Sequence, residues 1–243
     1  MNKLYLPASM TRFEPKRIVF STWIDHLAFA YDIVEAIRPK IVVELGTHNG
    51  LSYFAFCQSM VENGIDGLAY AVDNWEGEKH AGIHDTSVYD DVMSHNREYY
   101  RAFSYPLKML FNEALQHFDD NSIDLVHIDG LHTYDAVKED FENWFPKVKP
   151  GGVVMFHDIA ARIKDFGVWK YWDEISKQYP SCSFNHGFGL GVLQKPGPEK
   201  LDHPLLSLLF QGSENEHKDL RRLYSIASEF LEQKRKIKRL SKT

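Results

Sequence analysis

The sequence predicts a doubly wound α/β sheet, and three observations carry that expectation. Short runs rich in β-branched and apolar residues recur at 41–45, 68–73, 107–111, 123–129 and 152–157. Helical apolar patterns separate them, and Gly46, Asp73, Asp129 and Asp158 stand at or just past their ends. Strands alternating with helices require crossovers of one hand and therefore a mostly parallel sheet. With 243 residues, 44% of them hydrophobic, the chain can bury one large core and carry an appendage.

The elements follow in order. Ile24, Leu27, Tyr31 and Val34 share one helical face over 23–37, and Arg38-Pro39 ends that pattern because the residue before proline avoids the α region. Ile41-Val42-Val43-Glu44-Leu45 reads as a strand buried on both faces, followed by a helix over about 50–63. Thr133 is the expected N-cap of a helix over 134–145, whose Tyr134, Val137, Phe141 and Trp144 lie on one side. A further helix is expected over 168–179, and residues 182–194 read as a closing antiparallel hairpin. The sheet then has seven strands, mostly parallel, with an antiparallel strand near the C-terminal edge.

Past Lys195-Pro196-Gly197-Pro198 the composition changes. Residues 1–197 read as the main domain, and 198–243 as a helical extension whose three-four spacing through Leu220, Leu223, Ala227, Phe230 and Leu231 suits an exposed helix. Such a helix can dock a partner, pair as a homodimer or join a further domain. Residues 214–243 hold nine Lys/Arg against five Asp/Glu, so of the net charge of −6 the first 213 residues carry −10. A body this acidic is poorly suited to nucleic acid. No apolar run approaches a membrane span, and the opening residues lack the apolar stretch of a secretory signal, so a cytoplasmic protein is expected. Cys57 and Cys182 read as core thiols.

In open α/β sheets ligands bind beyond the carboxyl ends of the strands. Glu44-Leu45-Gly46-Thr47-His48-Asn49-Gly50 lies between the first long strand and its helix; its glycines permit a tight turn, and its spacing is not the pyrophosphate-cradling G-x-G-x-x-G. An acidic strand end suits a ligand with an ammonium group. Asp73 closes the next strand, 29 residues after Glu44, where a carboxylate can accept both hydrogens of a ribose diol. The pair predicts a nucleoside site with no pyrophosphate requirement.

Three stretches, VVELGTHNGLSYFAF, AVDNWEGEKHAG and IDLVHIDGLHTYDAVKEDFENWFPKVKPGGVVMFHD, together resemble the class I S-adenosylmethionine-dependent methyltransferases, which share a Rossmann-like sheet. The branch most similar is that of bacterial polysaccharide and cell-surface glycan loci, often fused to glycosyltransferases. The resemblance covers about residues 20–195. It implies that Glu44, Gly46, Thr47, Asn49, Gly50 and Ser52 surround the methionine part of S-adenosylmethionine. It further implies that Asp73 holds the ribose, that Trp75 lies close to it and that Asn112, Glu113 and Ala114 border the adenine. The implied reaction is O-methylation of a sugar or glycan-linked hydroxyl, with a small-molecule or glycan acceptor and a glycosyltransferase as fused or separate partner.

Metal-dependent relatives hold Mg²⁺ between the ends of the two strands that correspond to 123–129 and 152–157. The matching residues here are Asp129, His157 and Asp158, and a nitrogen ligand in that set tilts preference toward Mn²⁺, Fe²⁺ or Zn²⁺. His132 is the candidate general base and Asp129 its catalytic companion. His127 precedes the strand end and reads as structural. The same five residues, His127, Asp129, His132, His157 and Asp158, also suit a metal-dependent hydrolase, and a non-catalytic glycan-assembly module using the C-terminal helix is a third reading. Residues 74–90, with Trp75, His80 and His84, are expected to form a lid, and Arg162, Lys164, Trp169 and Trp172 to approach the acceptor.

Overall fold

The computed structural model describes residues 5–78, 82–83, 86–163, 165–197 and 202–240. Seven strands form one sheet: β1 Ile41–Leu45, β2 Leu68–Asp73, β3 Ser104–Lys108, β4 Ile123–Ile128, β5 Val148–His157, β6 Ser181–Phe184 and β7 Leu190–Gln194. Their order is β3-β2-β1-β4-β5-β7-β6. The first five run parallel, β7 lies antiparallel to β5, and β6 pairs antiparallel with β7. The expected sheet is the observed one. Strand order reverses at β1, so the crevice between the ends of β1 and β4 is where a ligand belongs.

Strand alternation sorts the core into two layers. Val42, Leu125, Val153, Met155 and Val192 face a cluster with Leu27, Phe29, Tyr31 and Phe54. Their neighbours Val43, Val126, Val154, Phe156 and Leu193 face the opposite cluster with Phe141, Trp144 and Trp172. The first layer comes from α2 Leu27–Ile37 and α3 Leu51–Glu62, the second from α6 Tyr134–Trp144 and α7 Val168–Ile175. Thr133 does cap α6, accepting from the Ala136 N–H, and α2 ends at Arg38 in the left-handed region before Pro39. Cys57 and Cys182 are buried and free, and burial pushes the Cys182 thiol up to about 12.

Three expectations shift. The strand expected over 107–111 is β3, at 104–108, because Ala69 pairs with Ser104 and Asp73 with Lys108. Pro106 is tolerated there because β3 is an edge strand. The apolar residues beyond it turn into the short α5 Phe111–Ala114 instead. The stretch expected as a lid is partly helix, α4 Thr86–Tyr99, while His80 and His84 lie outside the described residues. The C-terminal segment does form helices, α8 Pro204–Gln211 and α9 Glu214–Leu240, but their apolar stripe is not exposed as expected. Leu205, Leu209, Leu220, Tyr224, Ala227 and Leu231 are buried against the α2 layer, and Tyr224 packs on Phe29 and Phe184 at ring distances of 5.1 and 5.7 Å. The stripe matches an apolar face that α2 would otherwise leave open. Phe230, part of the expected stripe, stays exposed together with Ile226, as do Ile237 and Leu240 toward the end of the helix.

Candidate active site

The turn after β1 is held in place by backbone. Gly46 has φ of +85°, and a Cβ built there would lie 2.6 Å from the Asp129 carbonyl carbon, so the ends of β1 and β4 touch through bare main chain. Gly50, at φ +73°, precedes the first turn of α3. The Asp73 carboxylate accepts from the N–H groups of His48 (2.8 Å) and Trp75 (2.7 Å), and the Trp75 indole donates to the His48 carbonyl (2.9 Å). Asp73 therefore shapes the turn, and it also lines the cavity described below. Trp75 is buried behind it.

Glu44 sits one residue earlier and faces inward. It is fully buried, and its Oε2 accepts from His127 Nδ1–H at 2.9 Å. His127 Nε2 accepts in turn from the Trp23 indole at 3.1 Å, which leaves the proton on Nδ1. Burial pushes the Glu44 carboxyl up. This buried chain matches the structural reading of His127, and it puts Glu44 behind the ligand crevice.

A second histidine-carboxylate group closes β4 and β5. His157 Nδ1 lies 3.2 Å from Asp129 Oδ1 and 3.2 Å from Asp158 Oδ2, and its Nε2 lies 3.1 Å from the Gly187 carbonyl. With acceptors on both sides the ring carries both protons. Burial alone would lower its pKa, but the Asp129 and Asp158 carboxylates outweigh it and push it up to about 10. His26 donates to the same Gly187 carbonyl from Nε2 at 3.0 Å, and burial with the neighbouring His157 charge holds it well below the usual range. His132 Nε2 lies 2.9 Å from Asp158 Oδ2 and 4.0 Å from Asp129 Oδ1, and its ring stacks on Phe166 at 4.5 Å. Burial works against the Asp158 anion, yet His132 and His157 hold its carboxyl below the ordinary range. Asp158 itself has φ of +63°, a strained conformation of the kind found at ligand sites.

These segments wall one cavity of about 790 Å³, large enough for a drug-sized ligand. Of the residues expected at the site, Gly46, Thr47, Asn49, Ser52, Asp73, Asn112, Asp129, His132 and Asp158 line it. Glu44, Gly50, Trp75, Glu113, Ala114 and His157 do not line it. Glu113 caps its own helix by accepting from the Leu110 N–H at 3.1 Å, and Ala114 is in the core. His157, expected as a metal ligand, has both ring nitrogens occupied; the donor atoms that converge within 4.8 Å are those of Asp129, His132 and Asp158. Trp172 is a core residue bonded to Ser183 (2.8 Å), Arg162 lies over the Trp169 ring at 4.4 Å, and Lys164 lies outside the described residues.

The sequence reading missed part of the wall. Ala136, Glu139 and Asp140 line the cavity from the α6 face adjoining its Val137-Phe141-Trp144 stripe, a three-four spacing that was available in the sequence. Burial, with Glu139 beside it, pushes the Asp140 carboxyl up to about 7. Phe20, Met109, Leu110, Phe111, Ile163, Phe166 and Phe188 also line it, from loops whose meeting no local pattern announces.

Residues 43–159, which run from β1 to just past β5, match a family described as a methyltransferase domain. The match takes in just under half of the chain, and this segment is similar to that family. The chain is 45% identical over 193 residues to the uncharacterised protein y4gI of Sinorhizobium fredii, a match that takes in 79% of this chain and 21% of that protein. The chain therefore spans about a fifth of that relative's length. Among solved structures, the O-methyltransferase TomG of Streptomyces achromogenes, in complex with S-adenosylmethionine, superposes with a TM-score of 0.53 at 15% identity, over 75% of this chain and 83% of that one. An O-methyltransferase of Bacillus cereus in complex with S-adenosylhomocysteine gives 0.52 at 16%, over 74% and 84%. At such identities the likeness is one of fold, a Rossmann-like sheet shared with those two O-methyltransferases. The hydrolase reading finds no support in these comparisons. Among the described residues no helix is long and apolar enough to cross a membrane.

Proposed function

We propose that this chain is an S-adenosylmethionine-dependent O-methyltransferase acting on a sugar or glycan hydroxyl in cell-surface polysaccharide assembly. The observation that carries the transferase part is one continuous cavity bounded by Asp73 on one strand end and by Asp129, His132 and Asp158 on two others. The residues fit the cofactor: Gly46 leaves its wall bare, and the buried Thr47 hydroxyl that lines it has no hydrogen-bond partner among the described residues. The sugar part is supported by the resemblance in sequence. A relative about four times as long as this chain agrees with a larger assembly around the domain, in which a glycosyltransferase is the proposed partner.

When bound, S-adenosylmethionine supplies a methyl group activated by its sulfonium, transferred in line to an oxygen nucleophile. Asp73 would hold the ribose, and the turn 46–52 the amino-acid end. The His132–Asp158 pair receives the acceptor's proton, Asp158 fixing the ring and offsetting the charge it gains. His157 and Asp129 hold Asp158 in place from the other side. A divalent cation also suits this cluster: Asp129, His132 and Asp158 would hold it, and it would lower the pKa of a hydroxyl it touched.

Calorimetry with S-adenosylhomocysteine is the direct test. Micromolar binding is expected, weakened at least tenfold by Asp73→Ala and within about twofold of the parent for His132→Ala. No heat at millimolar ligand refutes the transferase.

A further inference from the structure

We propose that the acceptor is an unphosphorylated hydroxyl compound with an apolar body, such as a neutral glycoside carrying an aryl or alkyl group, rather than a sugar phosphate or a nucleotide sugar. This rests on the transferase reading above and narrows its substrate. Two independent features of the cavity point to it.

The first is charge. The described side chains that line the cavity include the carboxylates of Asp73, Asp129, Glu139, Asp140 and Asp158, and neither a lysine nor an arginine. Phosphate and diphosphate groups are held by guanidinium forks, ammonium groups or runs of free backbone N–H. The acceptor end sets Asp129 and Asp158 beside the rings of His157 and His132, and Asp73 and Glu139 add further carboxylates at the cavity wall. Of the two cations flanking Ile163 in sequence, Arg162 is held over Trp169 and donates to the Ile159 carbonyl, and Lys164 lies outside the described residues. A phosphorylated acceptor would bring negative charge against negative charge in a half-enclosed site, where the repulsion is poorly screened.

The second is the apolar mouth. Phe20, Leu131, Ile163 and Phe188 are 93%, 39%, 50% and 40% exposed and all line this one cavity. Phe166 joins them, stacked on the His132 ring. Leu131 and Phe166 flank His132, and Phe188 follows the Gly187 that anchors His157. Single exposed apolar residues need no explanation, but several converging on one opening mark a surface that something apolar covers. A bare sugar leaves that mouth wet; an aryl or alkyl aglycone next to the reacting hydroxyl covers it.

The test uses the full chain with S-adenosylhomocysteine bound, in EDTA-treated buffer, titrated with glucose, phenyl β-glucoside, glucose 1-phosphate and a uridine diphosphate sugar. Phenyl glucoside is expected to bind at least tenfold more tightly than glucose, and both phosphorylated sugars more weakly than phenyl glucoside. Phe20→Ser combined with Phe188→Ser should remove about tenfold of the phenyl glucoside affinity while S-adenosylhomocysteine binding stays unchanged. Because Phe20 is almost wholly exposed, its loss does not threaten folding. Ile163→Lys should shift preference toward the phosphorylated sugars. A phosphorylated sugar that binds the parent protein as well as phenyl glucoside overturns the proposal, as does a double variant with unchanged glucoside affinity. Failure of the transferase reading shows separately, as absent S-adenosylhomocysteine heat in the first titration, and takes this inference with it.

Discussion

Gly46→Ala should damage both the fold and the ligand site, and a second glycine separates the causes. Gly46 has φ of +85°, and the added Cβ would sit 2.6 Å from the Asp129 carbonyl carbon and 3.0 Å from the Gly130 nitrogen. Carbon atoms pack comfortably at about 3.5–4.0 Å, so main chain on one side must retreat by close to an ångström. Both sides are tied into the sheet: Gly46 N–H donates to Val72 O at 3.0 Å and Asp129 N–H to Leu45 O at 2.9 Å. Gly64, just past α3, has φ of +57° and nothing within 4 Å of its built Cβ. Gly64→Ala therefore reports the left-handed backbone alone, roughly 1–2 kcal/mol. Gly46→Ala adds an overpacking cost of roughly 1–3 kcal/mol and pulls Asp129 from its place beside His157. Urea unfolding should show the larger loss for Gly46→Ala. Calorimetry should show S-adenosylhomocysteine affinity down at least tenfold in that variant and unchanged in Gly64→Ala. Equal losses of stability, or normal affinity in Gly46→Ala, would refute the view that bare backbone contact between β1 and β4 builds the site.

Two further outcomes concern the buried polar chains. Trp23→Phe removes the only donor to His127 Nε2 among the described residues, in a fully buried setting, and the stranded acceptor together with lost packing should cost about 2–3 kcal/mol in urea unfolding; a loss under about 0.5 kcal/mol contradicts the chain from Trp23 to Glu44. Asp32 is buried and accepts from Ser9 N–H, Ser9 Oγ–H and Tyr224 O–H, yet burial outweighs those bonds and pushes its carboxyl from 3.8 up to about 6. The folded protein thus holds a proton there that the unfolded chain has released, so this group's contribution is full below about pH 4 and fades as pH rises through about 6. The expected size is about 3 kcal/mol, read as a slope in stability against pH that Asp32→Asn abolishes; an unchanged slope in that variant rules the attribution out.

The seven-stranded sheet was legible because each strand is a short local run and the central ones, β1, β4, β5 and β7, are largely buried, so composition marks them. The exposed edge strand β3 lies three residues before its expected place. Gly46, Asp73, Asp129 and Asp158 were legible for the same reason: the ends of parallel strands are where such a fold must open. Partnership was not. Glu44 and Asp73 both close strands, but Glu44 faces His127 and Trp23 from elements far away in sequence, and no spacing within a strand encodes which side of the sheet end is dry. The sequence points to His157 as the metal ligand and to His132 as the base; in the fold the Gly187 carbonyl, delivered by the β6–β7 hairpin, withdraws His157 from the cavity, and His132 is the histidine that converges with Asp129 and Asp158. The apolar stripe on α9 could be read from 220 to 231, but not the α2 face that would bury it.

The order of residues by itself determined the layer architecture, the direction of the sheet and the positions where a ligand crevice opens, because those follow from periods of two and of three to four along a local chain. Tertiary structure decided which carboxylate meets water, which histidine is doubly protonated and which loops rim the cavity with apolar side chains. Those outcomes depend on distances between segments that share no local pattern, and burial and charge act through space rather than along the chain.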